Sequence, residues 1–115
     1  MMAKVEGVRA VIRMLKKRAK GMEPASVVVG YEAEYAIYVH EDLNAHHDVG
    51  QAKYLEEPAR TYARQIRDII AQRLREGKTL LQALYLGGLF LQRKSQELCP
   101  VDLNNLRPSA FTRKE

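Results

Sequence analysis

Apolar residues recur at Val5, Val8, Ile12, Leu15 and Ala19, with Val11 beside them, and this spacing predicts an amphipathic helix over about 3–20. Gly21 fits its C-terminal stop, and the lysines and arginines of the last turn complement the negative end of the helix dipole. Pro24 blocks further helix. The β-branched run Ala25-Ser26-Val27-Val28-Val29-Gly30-Tyr31 predicts a strand, and its unbroken apolar character implies a place inside a sheet. Residues 32–41 carry two patterns at once. Tyr35, Ile37 and Val39 alternate with Ala36, Tyr38 and His40 as in a strand, while a short helix would set Tyr35, Tyr38 and Val39 on one side. Residues 42–51 are polar and without period, a long loop for a compact domain, expected to be mobile or ordered by a partner over 42–52.

A long helix is expected from about Lys53, with Pro58 tolerated in its first turn and Leu55, Ala59, Tyr62, Ala63, Ile66, Ile69, Ile70 and Leu74 forming its core face. Gly77 ends it. Thr79-Leu80-Leu81-Gln82 then reads as a capping box, and Leu80, Leu81, Ala83, Leu84, Leu86, Leu89, Phe90 and Leu98 mark the next helix. Gly87-Gly88 inside that helix costs about 1 kcal/mol per glycine relative to Ala, which a close backbone approach would explain. The two-residue link Lys78-Thr79 makes the two helices an antiparallel pair. Pro100 stops the second helix, Asp102, Asn104 and Asn105 form a turn, and Leu106 to Phe111 reads as a terminal strand able to pair with Val27–Gly30. The expected fold is α+β: a basic N-terminal helix, a small antiparallel sheet including the C-terminal strand, and a long antiparallel helix pair.

The 115 residues suit a single domain spanning 1–115, and 46% hydrophobic with 29% charged residues is ordinary for a globular chain. No apolar run nears the roughly 20 residues of a membrane span, and the N-terminus has no secretory h-region. Charge is divided along the chain. Residues 1–20 carry Lys4, Arg9, Arg13, Lys16, Lys17, Arg18 and Lys20 against Glu6 alone, whereas 31–57 carry Glu32, Glu34, Glu41, Asp42, Asp48, Glu56 and Glu57 against Lys53 alone. Such separation speaks of partners and assembly. For the basic segment a solvated face, docking on an acidic protein surface and contact with DNA phosphates all stand open, although no aromatic for base stacking lies within it. The acidic segment offers a complement, on the same or a neighbouring copy.

Candidate chemistry is sparse. His40, His46 and His47 lie among Glu41, Asp42 and Asp48, but without the helical spacing of a metalloprotease motif, so a solvated loop is the simpler reading. Cys99 reads as a core residue at a helix end, since no His or acid is placed to activate it. No phosphate loop, nucleophile elbow or cysteine pair occurs. Neither an enzyme nor a cofactor or metal site is expected.

Four segments together resemble the tail-completion (head–tail joining, neck) family of long-tailed phages. They are Val28-Val29-Gly30-Tyr31, Glu34-Tyr35-Ala36-Ile37-Tyr38-Val39-His40-Glu41, Gly50-Gln51-Ala52-Lys53-Tyr54-Leu55-Glu56-Glu57-Pro58-Ala59, and Pro100-Val101-Asp102 leading to Leu106-Arg107-Pro108-Ser109. Leu103-Asn104 stands where the family usually has Thr-Gly, and the turn follows the valine-rich strand instead of preceding it. Asn104 or Asn105 can take the left-handed place of the glycine. The resemblance implies a non-enzymatic virion protein made in the host cytoplasm. It would form a ring, hexameric in the family, between the head connector or stopper and the tail terminator or tail tube, with contact to exiting DNA and none to membrane. The interface groups it implies are Arg9, Arg13, Lys16 and Lys17, the loop residues His46 and His47, and the terminal Arg107, Arg113 and Lys114. A small basic nucleic-acid-binding or regulatory protein is the alternative.

Overall fold

The computed structural model describes residues 2–6, 9–14, 24–33, 35–43, 52–100 and 106–115. Four antiparallel strands, β1 (Met2–Glu6), β2 (Arg9–Met14), β3 (Ala25–Tyr31) and β4 (Ala110–Lys114), form one sheet in the order β1-β2-β3-β4. The helices are α1 (Ala36–Glu41), α2 (Glu56–Thr61), α3 (Ala63–Arg75) and α4 (Leu80–Leu98). The class is α+β, with the C-terminal strand inside the sheet and α3 packed on α4.

The N-terminal helix is corrected to a pair of strands: Met2–Glu6 and Arg9–Met14 pair from Met2↔Arg13 to Glu6↔Arg9. The physical reason lies in the same residues. Val5, Val8, Val11 and Ile12 are β-branched and Gly7 interrupts them, both unfavourable to helix. Period two then wins over period 3.6, with Ala10 and Ile12 fully buried on one face and Arg9 exposed on the other. The rest of the expected helix, 15–20, lies outside the described residues.

β3 occupies the bounds read from its valines, between β2 (Val27↔Ile12, Val29↔Ala10) and β4 (Val27↔Lys114 through Tyr31↔Ala110). The terminal strand starts four residues later than expected, because Arg107–Ser109 forms a 3-10 turn around Pro108 first. Residues 36–41 resolve as helix: Ala36 and His40, one turn apart, are buried while Tyr38 is exposed. The helix expected from Lys53 is divided at Tyr62, whose φ of −100° and ψ of 14° leave the helical region. Tyr62 turns its ring edge-on to Phe90, 5.8 Å between centroids, which holds the break against α4.

Thr79 caps α4 as its sequence indicated. Gln82 donates its backbone N–H to Thr79 Oγ1 at 3.1 Å, and Thr79 donates its own to Gln82 Oε1 at 3.0 Å. Gly77, at φ 92°, makes the preceding turn. The two glycines of α4 serve two different neighbours. A Cβ on Gly87 would stand 3.0 Å from Ile70 Cγ1 of α3, and one on Gly88 would stand 2.8 Å from Thr112 Cγ2 of β4 and 3.1 Å from Val27 Cγ1 of β3. α4 is therefore the central layer, with α3 against one side and the sheet against the other.

Candidate assembly surface

Tyr31, His40 and Tyr54, one from each of three segments quoted for the resemblance, meet in the interior, while Tyr38 of the same segments is exposed and 101–105 lie outside the described residues. Tyr31 at the end of β3 shares a hydrogen bond with Ser95 of α4, 2.6 Å between their hydroxyl oxygens. Its ring meets Tyr54 edge-on at 5.0 Å, and Tyr54 meets His40 in the same way at 5.0 Å. Tyr54 donates its hydroxyl to the Ala36 carbonyl at 2.9 Å, fastening α1 to the start of α2. His40 Nε2 accepts the Glu56 backbone N–H at 3.3 Å, while Nδ1 lies 3.2 Å from Glu41 Oε1, a pattern that suits the neutral Nδ1–H tautomer. Burial lowers the His40 pKa from the ordinary 6.5, opposed by the Glu41 carboxylate. Burial also raises both tyrosine phenols far above their usual range. Cys99, Ser95, Tyr54 and His40 are fully buried. Their contacts join β3, α1, the start of α2 and α4. Among the described residues no cluster of three or more His, Cys, Asp or Glu side chains is arranged for a metal ion.

The groups able to meet a partner lie outside this network. Strand alternation turns Val27, Val29 and Tyr31 toward α4, so positions 26, 28 and 30 fall on the outer face of the sheet. The register sets position 9 beside Gly30 and position 13 beside Ser26 on β2. On β4 it sets Phe111 beside Gly30 and Arg113 beside Val28. Two of the cations singled out from sequence, Arg9 and Arg113, thus hold outer-face positions on the two strands that flank β3, while the Arg13 side chain lies outside what the structure describes. Arg113 lies over the Phe111 ring, 4.3 Å from its centroid, and 4.0 Å from Glu32. Gly30 puts no side chain between positions 9 and 111, and it is buried like Val28 two residues before it.

The remaining interface candidates are dispersed. Lys114 is on the other face of β4, 5.1 Å from the Tyr85 ring centroid on α4. Arg107 is half-buried and donates to the Cys99 carbonyl at 2.8 Å, while Gln96 donates to the Arg107 carbonyl at 2.9 Å. That pair clamps the end of α4 to the turn before β4, a tethering role the sequence did not mark. Lys16, Lys17, His46 and His47 lie outside the described residues. Lys53 was read from sequence as a helix start and as the lone cation of the acidic 31–57 segment, and its ammonium pairs with Glu41 and, at 3.4 Å, with Glu56. These pairs hold the Glu41 carboxyl below its usual range and Lys53 above its own. Comparison of this chain with protein-family models, with curated proteins and with solved structures finds no match in any of the three.

Proposed function

We propose that this protein is a non-enzymatic structural subunit that joins the head connector to the tail of a long-tailed phage, acting as a ring at the virion neck. The observation that carries the reading is where the resembling segments go. Residues 28–31, 35–41, 54–59 and 106–111 make one another's buried contacts through Tyr31, Tyr54, His40 and the β3–β4 pairing, so the resemblance is one of fold-forming parts. A subunit of this kind works by surface fit and charge. The outer sheet face, with Arg9 on β2 and Arg113 beside Phe111 on β4, is the surface this reading gives to the neighbouring connector or tail component. Loss of the protein should leave filled heads and finished tails that do not join. Normal infectious particles made without it would remove the reading.

A second reading draws on one feature, the Phe111 ring with the Arg113 guanidinium over it at 4.3 Å. An aromatic ring flanked by guanidinium groups can stack a base while cations meet phosphates. Under that reading the protein binds nucleic acid, and a titration at two salt concentrations separates the two. Tight binding that falls steeply with salt favours it, since each phosphate contact releases counterions. Weak binding at both concentrations leaves the neck role.

A further inference from the structure

Among the described residues the large exposed apolar side chains are Tyr35, Tyr38, Leu43 and Leu89. The first three belong to one place. Tyr38 is 75% exposed on α1 and Leu43, just past its end, is 72% exposed. Helical spacing puts Tyr35, Tyr38 and Asp42 on the same side of α1, with the exposed Glu41 beside them. The result is an aromatic knob with an acidic edge.

Leu89 belongs to a second place. With Ile69, Leu86 and Phe90 it lines a cleft of about 400 Å³ between α3 and α4, and Arg73 and Arg93 stand at its walls. Arg73 Nη2 reaches Glu76 at 2.9 Å, but its buried Nε has no hydrogen-bond partner among the described residues. An apolar floor beside two guanidinium groups suits an aromatic ring accompanied by carboxylates, because the ring meets the floor and the cations while the carboxylates pair with the arginines. The knob offers that combination at its exposed 41–42 edge, where Glu41 already holds Lys53 of its own chain and would share its carboxylate with the cleft. No residue of the knob lines the cleft of its own chain. Nine residues of α4, about 13 Å of helix, separate Leu86 from Ser95, where the Tyr31–Tyr54–His40 contacts seat α1.

We infer that the α1 knob of one copy seats in the α3–α4 cleft of a second copy, Tyr38 entering the cleft and the 41–42 carboxylates facing Arg73 and Arg93. The two surfaces differ, so the contact is heterologous and repeats from copy to copy until it closes on itself or extends. For its biological use the inference rests on the reading of an assembling subunit, but the contact is tested on the purified chain alone.

Two single-site variants, Tyr38→Cys and Leu89→Cys, are mixed under mild oxidation, with Arg64→Cys on the exposed side of α3 as the control. The native Cys99 is fully buried. The expected result is a disulfide dominated by the mixed pair over either like pair and over pairs with the control. In parallel, Tyr38→Ala and Arg93→Glu each weaken self-association at least tenfold by sedimentation, and added salt weakens that of the native chain. A monomer at every concentration, like pairs as abundant as the mixed pair, or association indifferent to both substitutions would overturn the inference. Formation of the mixed pair by a protein whose absence does not disturb head–tail joining would instead remove the neck reading and leave this contact standing.

Discussion

On the face of the sheet turned to α4, Ala10, Ile12, Val27, Val29 and Tyr31 are buried, whereas the opposite face presents Arg9, Phe111 and Arg113 around the valine and glycine of β3. Both faces come from the same strands. Alternate residues of one β-branched run are divided between making the fold and meeting something else. Val28 shows how close the division runs: it is 5% exposed, yet it stands apart from the core cluster that holds Val27 and Val29. The lesson concerns where to seek function. Tyr31, His40 and Tyr54 of the resembling segments are interior, Tyr35 and Tyr38 of the same segments face outward, and the proposed assembly would use only residues that face outward.

Substitutions sharpen that comparison, beginning with the inner side. Leu84→Ala removes a fully buried side chain from the second turn of α4 and is expected to cost about 2–5 kcal/mol in denaturant unfolding. Gly88→Ala should cost about 1–3 kcal/mol, since its Cβ meets Thr112, a short side chain already hydrogen-bonded to Gln92 at 2.6 Å. Gly87→Ala gives the internal contrast. The end of Ile70 can yield a few tenths of an ångström, and the roughly 1 kcal/mol helix preference of Ala offsets the crowding, so stability should hardly change. Tyr31→Phe leaves the Ser95 hydroxyl without its 2.6 Å partner and should cost about 1–2 kcal/mol. Arg113→Ala on the outer face should stay within about 0.5 kcal/mol. An Arg113→Ala effect as large as that of Leu84→Ala would erase the distinction between the faces.

Acid supplies a separate probe. The folded state holds His40 below its ordinary 6.5, so on acidification the unfolded chain takes up a proton that the folded chain refuses. Stability is therefore complete above about pH 6.5 and declines below it. Glu41, held low by Lys53, adds a loss only nearer its ordinary 4.5, muted by its exposure. Melting temperatures measured from pH 7.5 downward should show the first decline, and His40→Gln should flatten it.

Much of the scaffold was legible because single local rules governed it. The valine run bounded by Pro24 defined β3, Thr79 and Gln82 announced the start of α4, and paired glycines announced close packing. What one chain could not disclose was which neighbour each glycine served, since that depends on the layer order. The N-terminal segment misled because Val5, Val8 and Ile12 satisfy a helical stripe, while the deciding alternation of Ala10 and Ile12 acquires meaning only beside β3. The candidate surface was half legible. Charge drew attention to Arg9 and the resemblance to Arg113, but only strand register places the two on one face. The cleft between α3 and α4 left no local signature, because Ile69 and Leu86 read as ordinary core positions until the helices are docked.

The claim that outward surfaces serve assembly while the interior serves only the fold is met most directly by sedimentation velocity over a hundredfold range of concentration, native chain beside Tyr38→Ala. The account predicts larger species for the native chain as concentration rises, and a variant that stays a folded monomer throughout. A native chain that remains monomeric, or a variant that assembles equally well, would contradict it.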